Sequence, residues 1–251
     1  MIVASLDVNV ALVERAAIAL GRTAIEGRQW AKVVVPRIAA RIDDPIRARA
    51  FATELAASGL DVECIEDSEV VSSSEMLEPR TIAIASSGLV TDLRPGQPLE
   101  YRAITALVRA RVSGTVVSTT IEVERVPSGK GGTVAVPVER TTHERNAEEV
   151  LYVFSSTDVP WLLVQSLVRY GSLGIPLRFT QRENFDLIVE TLRANAPWAG
   201  FDETLRTASV ERAATVAKSE TASRTGAPPR SIDLAAHVLA RCSMRKRSVY
   251  R

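Results

Sequence analysis

The sequence feature that most constrains the fold is a long run of strand signals followed by one amphipathic helix. Between Thr81 and Gln165 apolar residues alternate with polar ones and turn residues recur, with almost no helical period. The segment Thr180–Ala196 then has apolar residues at helical spacing, namely Phe185, Ile188, Val189, Leu192 and Ala196. Because such a stripe needs an apolar partner, we predict an α+β fold in which the helix packs on the preceding sheet.

Both ends of this helix are marked by specific residues. Thr180 and Glu183 form a Thr-x-x-Glu capping box, in which each side chain accepts a hydrogen bond from the backbone N–H of the other residue. Pro197 ends the helix, because proline has no N–H to donate and disfavours helical geometry in the residue before it.

The strand-rich region has the strongest β pattern at Thr115–Val126, where Val117, Thr119, Ile121 and Val123 occupy every second position. Pro127–Gly132 predicts a hairpin loop and Thr133–Thr142 the returning strand. Further strand signals lie at Ile82–Ile84, Leu89–Leu93, Leu99–Val112, Val150–Phe154 and Trp161–Gln165. About seven strands and one closing helix predict an antiparallel sheet or a partly open barrel plugged at one end.

The N-terminal part alternates strands with helices. Strands are predicted at Ile2–Val8, Lys32–Ile42 and Leu60–Ile65. Helices are predicted after Asn9, from about Thr23 to Trp30, and after Asp44-Pro45, an N-cap followed by proline at the first helical position. We therefore divide the chain into a small α/β domain (1–67), a Ser- and Glu-rich linker (68–79), a β domain with its helix (80–200) and a tail (201–251).

The tail carries the charge asymmetry of the chain. The whole chain has a formal net charge of +1, whereas the segment from Glu211 to Arg251 has nine Lys and Arg against three Asp and Glu. We expect residues 201–251 to be a flexible or partly helical basic tail, with Ala208–Ala217 and Ile232–Arg251 as its helical segments and Lys218–Ser231 as a linker. Its charge suits the acidic body of the same chain, an anionic membrane surface or nucleic acid.

The strand order, the segment PLEYRAITALVRARV at Pro98–Val112 and the closing helix resemble bacterial pleckstrin-homology-like domains of the PH/GRAM type. The whole chain, with VLYVF at Val150–Phe154 and YGSLG before TQRENF, also resembles a group of bacterial proteins without an assigned activity. The first resemblance implies a PH-like barrel closed by a C-terminal helix.

Several short motifs were compared with known chemistry. GKGGT at Gly129–Thr133 lacks the spacing of a phosphate-binding loop and predicts a hairpin tip. GSLG at Gly171–Gly174 lacks the context of a nucleophile elbow. The only histidines, His143 and His237, have no neighbouring ligand or nucleophile and are expected to be solvated. The acidic pairs at Asp43-Asp44 and Glu148-Glu149 predict a helix start and a turn, respectively. We therefore predict no catalytic, cofactor or metal site.

These observations predict a non-enzymatic protein-interaction module whose partner is a protein. Cys64 and Cys242 lie far apart and the N-terminus lacks a signal-peptide pattern, so we expect free thiols in a cytoplasmic protein. One alternative is peripheral binding to anionic lipid through MRKR at Met244–Arg247, Tyr250 and the basic residues Arg109, Arg111 and Arg125. A second is an enzyme whose site is built from scattered residues. A nucleic-acid partner is not expected, and nothing in the pattern indicates an oligomeric state.

Overall fold

The computed structural model describes residues 1–6, 9–19, 21–32, 36–128, 132–207, 228 and 230–248, and for residues 19, 113–146, 207 and 246–248 it describes the backbone alone. Its helices are α1 (Val10–Ala19), α2 (Ala24–Ala31), α3 (Pro45–Ala57), α4 (Gln181–Asn195), α5 (Thr204–Thr207) and α6 (Arg230–Ser248). Its strands are β1 (Ile2–Ser5), β2 (Arg37–Arg41), β3 (Val62–Ile65), β4 (Ile82–Ile84), β5 (Gly88–Thr91), β6 (Leu99–Glu100), β7 (Ile104–Ser128), β8 (Gly132–Ser155), β9 (Trp161–Val164) and β10 (Gly200–Asp202). The described strands form three sheets, ordered β2-β1-β3, β4-β5-β6 and β10-β7-β8-β9. The predicted α+β class is confirmed.

The four-stranded sheet, which we call the central sheet, is covered on both faces. One face packs on α4 and on the small sheet β4-β5-β6, and the other face packs on α6. Successive side chains alternate between these two cores, as the period of a strand requires. In β8, for example, Leu151 and Val153 belong to the first core and Tyr152 to the second.

Helix α4 confirms the prediction made from its capping box and apolar stripe. The Thr180 hydroxyl accepts the Glu183 N–H at 3.1 Å, and the Glu183 carboxylate accepts the Thr180 N–H at 3.0 Å. The predicted stripe is buried, with Phe185 at its head fully enclosed. The helix therefore covers one face of the central sheet.

The β region differs from the predicted barrel. Leu99–Val112 and Thr115–Val126 largely merge into the single strand β7, and Thr133–Thr142 and Val150–Phe154 merge into β8. β7 and β8 stay paired without a register shift from Ala106 to Ser128. The central sheet is open, with β10 and β9 as its outer strands, so the chain forms a sheet and no barrel in its described part. All pairings between the strands of this sheet are antiparallel except that of β10 with β7, which is parallel. A two-stranded ladder is held by backbone hydrogen bonds, which continue through polar segments that interrupt the apolar pattern.

The N-terminal sheet β2-β1-β3 carries α1, α2 and α3 on one face. Asn9 and Asp44 begin α1 and α3 as predicted, since the Asn9 side chain accepts the Leu12 N–H and the Asp44 side chain accepts the Ile46 N–H. The predicted strand positions are confirmed over shorter ranges, while Val8 and residues 33–35 lie outside the described residues.

Residues 230–248 form α6, which confirms the helical alternative for this part of the tail and shows that the expectation of flexibility is wrong there. One side of this helix packs on the central sheet through Ile232, Ala236 and Leu239. Another side packs on the N-terminal sheet through Leu234 and Val238. Burial on two sides outweighs the entropy that a free basic segment would keep. The helix predicted at Ala208–Ala217 and most of the linker Lys218–Ser231 are not among the residues that the structure describes.

The predicted linker 68–79 lies against both α6 and the central sheet. It contains parts of two 3₁₀ turns, Asp67–Glu69 and Ser73–Glu75. Leu77 then pairs with the outer strand β9, donating its N–H to Pro160 and accepting the Leu162 N–H at 2.9 Å. These hydrogen bonds attach the segment to the central sheet at the edge of β9.

Candidate functional site

A cluster of buried charges fixes the base of the β7–β8 hairpin. Arg109 of β7 is ion-paired through its guanidinium to Glu149 of β8 and to Asp186 of α4. Arg206 of α5 contacts the other oxygen of Glu149, with its Nε 3.2 Å away. The Arg109 guanidinium also lies 5.7 Å from the centre of the Phe185 ring. These contacts join β7, β8, α4 and α5 at one place.

The charges of this cluster neutralise one another, which suits a role in holding the surrounding elements together. Removing one partner from such a buried group leaves an uncompensated charge, which typically costs 3–5 kcal/mol. The Nε of Arg109 is buried without a hydrogen-bond partner in the described structure. The base of the hairpin therefore has a defined position relative to the central sheet.

A second buried cluster attaches α6 to the preceding segment. Asp233 accepts hydrogen bonds from the Tyr152 hydroxyl and the Ser73 N–H, both at 2.8 Å. Burial raises the pKa of Asp233, although these two hydrogen bonds oppose the rise. Burial also raises the pKa of Tyr152 well above its ordinary value, and the charge of Asp233 raises it further. We call this group, with His237, the Asp233–His237 cluster.

His237 is held as a neutral ring with a defined tautomer. The Val71 N–H donates to Nε2 at 3.2 Å, so Nε2 carries no proton. Nδ1 lies 2.8 Å from the Asp233 carbonyl and therefore donates to it. Phe154 meets the imidazole edge-on at 4.9 Å. Burial lowers the pKa of His237, while the hydrogen bond to the Asp233 carbonyl opposes this effect.

The basic residues of α6 meet acidic residues of the same chain. Arg230 pairs with Asp67, Arg241 pairs with Glu63 and Glu69, and Arg245 pairs with Asp61 and Glu63. Burial raises the pKa of Glu63, and the two arginines oppose that rise. Of the three partners that the charge asymmetry allowed, the acidic body of the chain is the one observed.

The outer edges of the two outer strands of the central sheet differ in their hydrogen bonds. The outer edge of β9 is paired at one point with Leu77, as described above. β10 pairs in parallel with β7 on its inner side. Among the described residues, no other hydrogen bond reaches the backbone of Gly200 or Phe201. An edge strand in this condition presents N–H and C=O groups that another chain can bind.

A groove of about 420 Å³ lies between α4 and β10. We call it the β10 groove, and it is lined by Glu190, Arg193, Ala194, Ala196, Pro197, Ala199 and Phe201. The guanidinium of Arg193 lies 4.1 Å from the centre of the Phe201 ring, a cation–π geometry. Glu190 is ion-paired to Arg178 at 3.0 Å. Sequence reasoning missed this groove, because Arg193 and Phe201 belong to different elements and form no motif.

For two of the sequence motifs, the structure shows the side chain in a structural role. Asp44 caps α3, as predicted for the Asp43-Asp44 pair. In GSLG, Ser172 lies in a 3₁₀ turn and its hydroxyl bridges the carbonyl and N–H of Ile82, which confirms a structural role. The turn predicted at Glu148-Glu149 is wrong, because both residues lie within β8.

Other predicted positions are relocated by the structure. His237 is 7% exposed, so the expectation of a solvated side chain is wrong. Arg109 is buried and paired, so its assignment to an exposed basic face is also wrong, whereas Arg111 is exposed. The side chains of Arg125 and His143 are not described. The glycine-rich tip 129–131 and Tyr250 lie outside the described residues.

Comparison of the chain with protein-family models, curated proteins and solved structures found no match. Within the described ranges, no three His, Cys, Asp or Glu side chains are grouped so that they could hold a metal ion.

No helix in the described part of the chain is sufficiently long and apolar to cross a membrane.

Proposed function

We propose that this chain is a non-enzymatic protein-interaction module that contacts its partner through the β7–β8 hairpin. The observation that carries this proposal is the length of the hairpin beyond the central sheet. β10 pairs with β7 at Ala106–Val108, and β9 pairs with β8 at Val150–Val153. The paired backbone continues from Ser113 opposite Ala147 to Ser128 opposite Gly132, and we call this part the hairpin arm.

The dimensions of the hairpin arm support a binding role. Its roughly 16 residues per strand correspond to about 50 Å at 3.3 Å per residue. A two-stranded ribbon that is covered by no other element is marginally stable in water, because it cannot bury enough apolar surface. Its two edges also carry N–H and C=O groups available to another chain. A protein partner would cover the ribbon and pair with its edges.

The base of the arm supports the same function. The Arg109–Glu149–Asp186–Arg206 cluster holds β7 and β8 where they leave the central sheet. A rigid base directs a long ribbon and reduces the conformational entropy lost when a partner binds. The buried polar groups of the Asp233–His237 cluster bond one another and the backbone, as attachment groups do.

Cross-linking within the cells that produce the protein tests this proposal. A photoreactive phenylalanine analogue placed at Thr120, within the arm, should give a discrete adduct with a second polypeptide. The matched control carries the same group at Ile46, an exposed residue of α3 that is 80% accessible. Adducts from Thr120 no more abundant than those from Ile46 would contradict the proposal.

A deletion separates loss of contact from loss of folding. Replacing residues 114–146 by Asn-Gly joins Ser113 and Ala147 through a two-residue hairpin turn. We expect the melting temperature to change by a few degrees at most, while the polypeptide identified from the Thr120 adduct no longer co-purifies with the chain. If adducts instead contain lipid, and co-sedimentation with anionic vesicles depends on salt, the peripheral membrane alternative is favoured.

The predicted resemblance to pleckstrin-homology-like domains stays a prediction.

A further inference from the structure

We propose that the β10 groove is a second binding site, independent of the hairpin arm, which takes an extended peptide with an acidic side chain. The groove adjoins a strand whose outer edge is unpaired among the described residues, and it holds a cation that makes no ion pair with any described residue. These two features recognise different parts of a peptide, and Arg193 and Phe201 of β10 both line one cavity of about 420 Å³.

The backbone part of the site is the outer edge of β10. Gly200–Asp202 pairs with β7 on one side only, and Phe201 of this strand lines the groove together with residues of α4. An extended segment can add to such an edge by main-chain hydrogen bonds, while pockets for its alternate side chains give specificity. The opposite edge of the same sheet is already occupied by Leu77, which shows how an added segment pairs with this sheet.

The charged part of the site is Arg193. It is exposed, stacks on Phe201 and makes no ion pair with any described residue. The nearest acidic residue of the lining, Glu190, is neutralised by Arg178. The groove therefore has an excess positive charge, and a guanidinium whose position is fixed by an aromatic ring is suited to bidentate binding of a carboxylate.

The rest of the lining accepts an apolar neighbour of that acidic residue. Ala194, Ala196, Pro197 and Ala199 contribute small side chains. Ala196 and Ala199 are themselves buried against the core around α4, so the floor of the groove is fixed. On the far side of β10, Gly200 allows the close approach of α6, because a Cβ there would lie 2.4 Å from Cβ of Ser243. The edge strand is thus held from behind.

Selection from a displayed library of random twelve-residue peptides, using the full chain as target, tests the proposal. We expect the enriched peptides to share an Asp or Glu beside an apolar residue. A synthetic copy of the best peptide should bind Arg193→Glu at least tenfold more weakly than the unaltered chain. Arg182→Glu is the matched control, since Arg182 is an exposed arginine of the same helix outside the groove, and it should change the affinity less than twofold.

Two changes to the peptide then separate its side-chain and backbone contacts. Replacing the acidic residue by Lys should restore binding to Arg193→Glu, as expected for a direct charge pair. Single backbone amides of the peptide can also be N-methylated in turn. This change should weaken binding only at every second position, because alternate N–H groups of an added strand face the sheet.

Three outcomes would overturn the inference. These are a library without enrichment, equal effects of the two arginine variants, and a dimer in sedimentation velocity that Arg193→Glu dissociates, since a second copy would then be the occupant. Repeating the peptide measurement on the variant with residues 114–146 replaced keeps the two sites distinguishable. Retained peptide affinity in that variant is expected, whether or not the arm has its proposed role.

Discussion

Helices α4 and α6 cover opposite faces of the central sheet, but their sequences identify them unequally. α4 buries one stripe led by Phe185 and has a clear capping box. α6 is covered on two sides, by the central sheet and by the N-terminal sheet, and it also buries Asp233 and His237. The buried polar residues of α6 interrupt its apolar pattern and conceal the contact in the sequence. The comparison teaches that a helix which buries polar side chains is harder to recognise as packed than one with a purely apolar stripe.

The largest effect is expected in α4. Phe185→Ala should lower the free energy of unfolding by about 3–5 kcal/mol, because it removes a fully buried aromatic side chain from the core. Urea denaturation measures this loss. Phe179→Ala is the control, because Phe179 is fully exposed just before the helix and its loss should cost under about 0.5 kcal/mol. Similar losses for the two variants would show that α4 is not packed as described.

The second effect tests whether α6 is anchored by polar contacts. Asp233→Ala leaves the Tyr152 hydroxyl and the Ser73 N–H buried without their acceptor, so we expect a loss of about 2–4 kcal/mol. Asp43→Ala removes an exposed carboxylate and serves as control. In a double-mutant cycle, Tyr152→Phe should cost less in the Asp233→Ala background than alone. Strict additivity would argue against the hydrogen bond.

The third effect is a pH dependence that arises from a residue of α6. Because burial lowers the pKa of His237, the unfolded chain binds a proton below about pH 6.5 that the folded chain does not. The free energy of unfolding should therefore fall as the pH drops below 6.5, by at most about 1.4 kcal/mol per pH unit from this residue.

Asp233 contributes with the opposite sign, because its raised pKa favours proton uptake by the folded chain. The difference between the unaltered chain and His237→Gln, measured from pH 7.5 to 5.5, isolates the histidine. Parallel pH curves for the two proteins would refute the neutral, buried assignment of His237.

The smallest effect is expected from the ion pairs on the exposed side of α6. Arg245 and Asp61 are both partly accessible to solvent, so Arg245→Ala should cost no more than about 1 kcal/mol. The loss should shrink further in 1 M salt, where charges are strongly screened. Denaturation at low and high salt provides the measurement. A salt-independent loss of several kcal/mol would mean that Arg245 acts mainly through packing.

The parts of the fold that could be predicted are those encoded by local patterns. Thr180 and Glu183 cap α4, Asp44-Pro45 begins α3, and the period of Val117–Val123 indicates a strand. The continuity of β7 and β8 could not be predicted, since hydrogen bonds between two backbones continue through TTHERN without an apolar signal. The same holds for α6, whose burial depends on two sheets formed by residues distant in sequence.

The candidate sites were less predictable than the fold. The β10 groove needs α4 and β10 to be adjacent, which neither element encodes alone. Arg109 and Glu149 read as ordinary surface charges in two strands until the register places them beside Asp186. Long-range geometry therefore decides which of many similar charged residues are buried.

The position of α6 also bears on how the chain folds. Its contacts with β1 join residues about 230 positions apart, and contacts of such separation form late because a long loop must first be closed. Until then, one face of each of two sheets is exposed together with its apolar residues, and intermediates of this kind aggregate readily. We expect the docking of α6 to be the slow step of refolding, and the yield of refolding to fall as the protein concentration rises.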